Sequence, residues 1–491
     1  MRSVAVIGSG PSGLAAAKAL VEHGLDPVVF EGADAIGGMW SGPGRGAWSS
    51  CARTNLSCFS CAFSDFPWPE GCDVFPRRDA IIGYLRHYAE TFGLMSRICL
   101  GTRVESVEPE GEHRWLVTSR DSGEKPETSV FDWVVVASGV FSRPFIPHFE
   151  GLSRFRGRVH HSSDCSSGEE IHARFDGARV LVVGTAFSGT EIAALLAPVA
   201  ASVTVGFRNP MWFLPRWVRL SEGGPSYPVD MVLYNRKPSN PLNVNPRRAL
   251  LDLGGDPGAV SPELAFDDID SAPLNVVTAE GFLSLVADGK IAVKRSGSFA
   301  FDEDGVIYAD GTRQDLDAVV MCTGFIAGLP FFGQPLLNIL EFDPADQLQP
   351  LLLHKQVFHP ELPGLCFVGY YRGPYFPVME LQGRWVARVA AGEIPPPHVD
   401  DQLVGVEAER KIRYRRPRPQ FPHGDYVRLA DDLAREVGVF PEGDEVGDLE
   451  RHLREGPLLS AHYRLVGPHA RPELARQTIQ AAPAPHLEGK A

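Results

Sequence analysis

Residues 4–17 read VAVIGSGPSGLAAA, and residues 180–193 read VLVVGTAFSGTEIA. Each is an apolar β-rich run, a glycine-spaced turn and a stretch with helical spacing of small and apolar residues. The first continues into DPVVFEG at 26–32 and the second into ASVTVGFR at 201–208, so both are βαβ units. Gly8, Gly10 and Gly13 form GxGxxG, a spacing that serves a tight turn, close backbone approach to a pyrophosphate and close helix–strand packing. The helix N-terminus that follows attracts the phosphates. Glu31 ends the second strand, where a carboxylate accepts hydrogen bonds from a ribose diol and repels a 2′-phosphate. This site suits FAD or NAD rather than NADP.

The second unit differs at two points. Its glycine pattern is Gly184, Ala186, Gly189, so a β-carbon stands where the pyrophosphate approaches, and binding is expected to be looser. Its second strand ends at Arg208, whose guanidinium can pair with a 2′-phosphate, which points to NADPH. One chain thus carries a cradle for a bound flavin and another for the reductant that comes to it.

The whole chain sets the bounds. Its 491 residues suggest several domains or one large composite, and 44% hydrophobic and 10% aromatic residues are those of a globular protein. A net charge of −14 repels a phosphate backbone, so no nucleic-acid partner is expected. The basic run ERKIRYRRPRPQ at 409–420 reads as a solvated segment. No signal-peptide pattern precedes the first strand, and no apolar run reaches the roughly 18 residues of a membrane span. A cytoplasmic protein is expected, and eight cysteines are too sparse for a disulfide scaffold.

Along the chain, AIIGYLRHYAETFG at 80–93 has helical spacing and FDWVVVASGVF at 131–141 is β-rich. Residues 210 to 290 are rich in Pro and Gly and break the α/β rhythm, which resumes with KIAVK, GVIYADG, DAVVMCTGF, GLCFVGYY and a helix-like MELQGRWVARVAAG. Beyond 396 the chain turns Pro-rich and polar and ends in AAPAPHLEGKA, which reads as a frayed tail.

Several short stretches make a family resemblance specific. GGMW at 37–40, RTNLS at 53–57, SDFPWP at 64–69, FRGRVHHSSDC at 155–165, MCTGF at 321–325 and ELQGRW at 380–385 resemble flavin-containing monooxygenases of the single-component class. GDYVRLADDLAREVGV at 424–439 and SAHYRLVGP at 460–468 resemble the C-terminal part of the animal-type enzymes. The resemblance implies an α/β fold of two Rossmann-like dinucleotide-binding domains, the NADPH domain inserted in the FAD domain. The expected division is 1–165 for the first part of the FAD domain, 166–209 with 290–325 for the NADPH domain, and 210–289 for an insertion near substrate access. Residues 326–440 complete the FAD domain, and 441–491 form an extension and tail.

Carried over by position, the family's FAD contacts fall on Gly8, Gly10, Pro11, Ser12, Gly13, Glu31, Gly38, Met39, Trp40 and Val104, with Gln382 near the pyrimidine edge of the flavin. Thr54 and Asn55 would lie between flavin and nicotinamide, with Asn55 the catalytic residue. The NADP contacts fall on Ser188, Gly189, Thr190, Glu191 and Arg208. The implied reaction uses NADPH to reduce FAD, adds O₂ at C4a and passes the distal oxygen of the hydroperoxide to a sulfur or nitrogen nucleophile of a small molecule. No metal takes part, and a homodimer is a possible assembly.

Two departures bear on the subclass. The family's linker motif, FxGxxxHxxx closed by Tyr or Phe, is matched by Phe155, Gly157 and His161 but ends in Cys165, where Baeyer–Villiger relatives place Trp. Phe187 stands where the family usually has Asn. Ketone oxygenation therefore stays open beside heteroatom oxygenation. Cys58 and Cys61 form a CxxC with Cys51 and Cys72 nearby, which leaves a disulfide-reductase or zinc reading to be tested against that of buried structural thiols. A flavin-bearing protein without turnover is a third alternative. His161 is expected to be a structural histidine where the domains join, and the aromatic residues Trp212, Phe213, Trp217, Tyr227 and Tyr234 of the insertion either roof the site or simply pack.

Overall fold

In the computed structural model, residues 2–41, 53–165, 167–237, 241–373, 375–442 and 446–487 are described; Cys51 lies outside them. The two βαβ units grow into two parallel five-stranded sheets. In the first, the spatial order is Leu365–Phe367, Trp133–Val136, Ser3–Ile7, Asp26–Phe30, Ile98–Cys99. In the second it is Arg158–His161, Ala318–Met321, Arg179–Val183, Ser202–Phe207, Ala292–Arg295. Central strands such as Val4–Val6 and Val180–Val182 are wholly buried, as runs of β-branched residues covered on both faces must be.

The duplication runs deeper than the fingerprints. Each sheet is preceded at its Trp133–Val136 or Ala318–Met321 strand by a three-stranded antiparallel meander, spanning Arg103–Phe131 in one unit and Phe299–Asp315 in the other. Each unit also carries a long excursion after its second strand: 31–97 in the first and 208–291 in the second. The outermost strand alone is recruited differently, from the C-terminal side in the first sheet and from the N-terminal side in the second. Arg158–His161, placed with the first domain in the sequence reading, pairs in register with Ala318–Met321 of the second sheet. Its polar RVHH sequence hides the strand because it lies at the sheet edge and is half exposed.

The chain crosses between the units twice, and the crossings pair: Phe325–Ile326 runs antiparallel to Arg143–Pro144, with the Phe145 N–H donating to the Gly324 carbonyl at 2.9 Å. His161 sits at this junction. Its Nδ1 accepts from the Ser163 N–H at 3.1 Å, which leaves Nε2–H to donate to the Gly324 carbonyl at 2.9 Å. Burial lowers its pKa, so the ring is a neutral structural link.

The helix Pro11–Glu22 packs on the long helix Phe376–Ala391 with almost no gap, since a β-carbon on Gly383 would lie 3.0 Å from the Ala16 Cα. Against them lies Tyr426–Val437, whose Tyr426, Ala430, Leu433, Ala434 and Val437 form one buried stripe. The C-terminal part is therefore packed, in a stretch whose polar composition does not announce it. Arg464 is fully buried and pairs with Glu22 at 3.4 Å, Asp65 at 3.3 Å and Glu380 at 3.2 Å, while Lys18 pairs with Asp65 at 2.5 Å. Pro472–Ala481 buries Ala475 and Ile479, and only 488–491 of the tail lie outside the described residues. No helix among the described residues is long and apolar enough to cross a membrane.

Candidate functional site

The first fingerprint is a backbone construction. Gly8 has φ +105°, and a β-carbon there would meet the Ala137 carbonyl oxygen at 2.7 Å. A β-carbon on Gly13 would lie 1.9 Å from the Gly8 carbonyl oxygen, so this glycine lets helix and strand touch. Gly10 and Gly38 pack backbone to backbone: a β-carbon on Gly38 would lie 3.0 Å from the Gly10 Cα. The helix starts at Pro11 with Gly10 as N-cap, so no capping side chain covers its first N–H groups and an anion can take that place.

These residues open on a cavity of about 1160 Å³. Gly8, Gly10, Pro11, Ser12, Glu31, Gly38, Met39, Trp40, Thr54, Asn55 and Val104 all line it. Gly13 lies behind the wall. Glu31 is buried and fixed, its Oε2 accepting from the Ser9 N–H at 2.9 Å and Ser9 Oγ at 2.8 Å and its Oε1 from the Ala33 N–H at 2.8 Å. Gln382 does not line the cavity. It is wholly buried and joins two loops, accepting from the Gly369 N–H at 2.8 Å and donating to the Lys355 carbonyl at 3.3 Å; Gly369 is the residue that reaches the wall.

In the wall of the same cavity Thr54 Oγ1 and Asn55 Oδ1 are buried with no partner among the described residues. Buried polar atoms are almost always bonded, and two orphans side by side on a cavity wall fit a polar ligand edge that completes them. Together with the glycine cradle and the fixed carboxylate, they fit an adenine dinucleotide with a polar ring system, which is what FAD is.

The second fingerprint repeats the first. Gly184 has φ +115°, and a β-carbon on Gly189 would lie 1.8 Å from the Gly184 carbonyl oxygen. Ala186 takes φ −76° as N-cap of Phe187–Leu196, a conformation open to any residue, so the alanine costs the backbone nothing. Phe187 packs onto the apolar core of this unit. Thr190 Oγ1 donates to the Phe187 carbonyl at 3.1 Å, and Ser188 lies at the helix start. Arg208 is exposed just beyond its strand, with no acidic partner among the described residues. None of Ser188, Gly189, Thr190, Glu191 and Arg208 lines the first cavity.

What joins the two sites lies in the insertion, and the sequence reading missed it. Arg216, 6% exposed, donates from Nε to the Thr54 carbonyl at 3.1 Å and pairs through its terminal nitrogens with Glu191 at 3.1 Å and Glu280 at 3.2 Å. Burial lifts Glu191 to about 7 against the pull of Arg216. Asp230, wholly buried, accepts on Oδ2 from the Ser57 N–H at 3.0 Å and from Ser57 Oγ and Ser60 Oγ at 2.7 Å each. Trp212 and Phe213 are buried in apolar clusters, and none of the aromatic residues singled out in the insertion lines the cavity. Cys58 and Cys61 are buried and burial pushes both thiols up, which suits packing better than thiolate chemistry. No group of three or more metal-ligating side chains is found among the described residues.

The flavin-binding monooxygenase-like family model matches residues 1–483. Dimethylaniline monooxygenase (N-oxide-forming) 2 of Cavia porcellus is 32% identical, covering 95% of this chain and 89% of that protein. Flavin-containing monooxygenase 2 of Homo sapiens is 31% identical with the same coverage. Among solved structures, S-allyl-L-cysteine S-oxygenase from Allium sativum aligns over 98% of both chains with TM-score 0.65 at 22% identity. An open form of cyclohexanone monooxygenase aligns over 89% of this chain and 98% of its own with TM-score 0.64 at 18% identity, a likeness of fold. The chain thus belongs to the flavin-binding monooxygenase-like family, as an NADPH- and O₂-dependent flavoprotein with FAD and NADPH as its cofactors.

Proposed function

We propose that this enzyme oxygenates a soft nucleophile, a sulfur or nitrogen atom of a small molecule, beside Thr54 and Asn55 in the cavity wall. The observation that carries the reading is the pair of unpartnered buried atoms, Thr54 Oγ1 and Asn55 Oδ1, in the wall of a cavity that begins at the first fingerprint. Its support from relatives is the N-oxide-forming name of the animal proteins that resemble it over nearly their whole length.

FAD bound in the cavity supplies hydride acceptance and oxygen activation. The chain's part is to bind and exclude. Gly8, Gly10, Pro11 and Ser12 at the helix N-terminus would hold the pyrophosphate of FAD, and Glu31, Met39, Trp40 and Val104, which line the same cavity, would hold the rest of it. Ser188 to Glu191 and Arg208 receive NADPH. Asn55, a neutral amide with two donors and an acceptor, holds hydrogen bonds without supplying a proton, and so keeps the reacting face ordered and dry.

The test is product analysis of the FAD-loaded enzyme with NADPH, O₂ and a panel of thioethers, tertiary amines and cyclic ketones. Sulfoxide or N-oxide is expected. Ester or lactone from the ketones with no oxidised heteroatom would replace the proposal by a Baeyer–Villiger one. In parallel, Asn55→Ala is expected to raise peroxide released per NADPH by roughly 2- to 10-fold, the range of one lost hydrogen bond. Full coupling in that variant would remove Asn55 from the mechanism.

A further inference from the structure

Asn55 lies between two anchors, and both come from the insertion. On its N-terminal side the Thr54 carbonyl accepts from Arg216 Nε at 3.1 Å. On its C-terminal side Ser57 and Ser60 converge three donors on one oxygen of Asp230, at 2.7 to 3.0 Å. Both anchoring side chains are buried, Arg216 at 6% and Asp230 at 0% exposure. Burial raises the Asp230 carboxyl against the donors from Ser57 and Ser60, and its Oδ1 has no partner among the described residues, so those three donors are what hold it; a buried polar group keeps its partners in place, and each anchor restrains the segment it holds.

Arg216 does more than hold a carbonyl. Its planar fork sends three nitrogens to three segments distant in sequence: the Thr54 carbonyl, Glu191 on the helix of the second fingerprint, and Glu280 at the end of the insertion. The residue next to Asn55 and the helix that receives NADPH thus share one guanidinium.

We infer that Arg216 and Asp230 are positioning residues for Asn55, and that Arg216 ties the placement of Asn55 to the nucleotide-binding helix through Glu191. The inference rests on the role given to Asn55 above. The coupled reaction consumes NADPH, H⁺, O₂ and substrate and yields NADP⁺, water and oxygenated substrate; the leak consumes NADPH, H⁺ and O₂ and yields NADP⁺ and H₂O₂. Freeing the Thr54 carbonyl shifts flux from the first to the second while leaving hydride transfer in place.

The test compares FAD-loaded wild type, Arg216→Gln, Arg216→Lys, Ser57→Ala and Asn55→Ala. In Arg216→Gln the partly neutral Glu191 takes up a proton rather than standing as an unpaired charge, which favours a folded variant. Amide hydrogen exchange of residues 53–61 is expected to quicken at least tenfold in Arg216→Gln and to stay at the wild-type rate in Asn55→Ala. Peroxide per NADPH rises at least threefold in Arg216→Gln, with flavin content unchanged, the KM for NADPH raised and flavin reduction at saturating NADPH within twofold. Arg216→Lys leaks similarly, because one ammonium cannot reach three segments. Should Arg216→Gln fail to fold, Ser57→Ala carries the same two readouts for the Asp230 anchor.

Wild-type exchange of 53–61 in the Arg216 and Ser57 variants overturns the anchoring. Quickened exchange with undiminished coupling overturns the link to Asn55. A coupled Asn55→Ala defeats the mechanism proposed for Asn55, and the exchange measurement then still decides the anchors.

Discussion

A β-carbon on Gly13 would stand 1.9 Å from the carbonyl oxygen of Gly8, and Gly189 bears the same relation to Gly184 at 1.8 Å. The obstructing atoms are backbone in the turn to which the proposal assigns the pyrophosphate of FAD. Gly13→Ala is expected to destabilise the fold by roughly 1–3 kcal/mol or more and to give protein without flavin absorbance. Gly10→Ala, whose β-carbon meets the Gly38 Cα at 3.4 Å, should keep its fold and lose FAD affinity instead. Urea unfolding and flavin content separate the two outcomes.

Arg208 offers a test of coenzyme choice. It is exposed and without an acidic partner among the described residues, so its removal disturbs little else. Arg208→Ala should raise the KM for NADPH by roughly 10- to 100-fold, the scale of a charge-assisted hydrogen bond, and hardly change that for NADH. Equal losses with both would count against a phosphate contact.

Glu191 predicts a pH signature. Burial lifts its folded pKa to about 7 from an ordinary value of 4.5, so the folded state holds a proton that the unfolded chain releases. The stability tied to this group is fully present below about pH 4.5 and is lost as pH rises to about 7. Relative to Glu191→Gln, the wild-type Tm should fall across that interval and run parallel outside it.

The buried ion network makes the C-terminal segment indispensable. Arg464 faces Glu22, Asp65 and Glu380 with no exposed surface, so Arg464→Met leaves Glu380 buried without its cation and makes Glu22 and Asp65 share Lys18. A loss of roughly 3–5 kcal/mol is expected in urea unfolding. A chain ending before Ser460 should fail to accumulate as folded protein.

Short-range patterns were legible in the sequence and long-range ones were not. The two glycine turns, Glu31 and Arg208 lie within 32 residues of their unit's first strand, and periodicity exposes them. Met39, Trp40, Thr54 and Asn55 came from resemblance, and all four line the cavity. Arg216 and Asp230 act on Thr54 and Ser57 across 162 and 173 positions, where no local spacing connects them. The buried ion network of Arg464 was hidden likewise, since Glu22 and Asp65 sit hundreds of residues away.

The paired crossings at Arg143–Pro144 and Phe325–Ile326 have one more consequence. They bring the two ends of the 146–323 stretch side by side, with Phe145 and Gly324 joined by a 2.9 Å hydrogen bond. A module whose entry and exit coincide behaves as a cassette, but this one reaches back into its host, since its Arg216 and Asp230 hold Thr54 and Ser57. Transplanting it therefore keeps the chemistry next door only where the host supplies those two contacts.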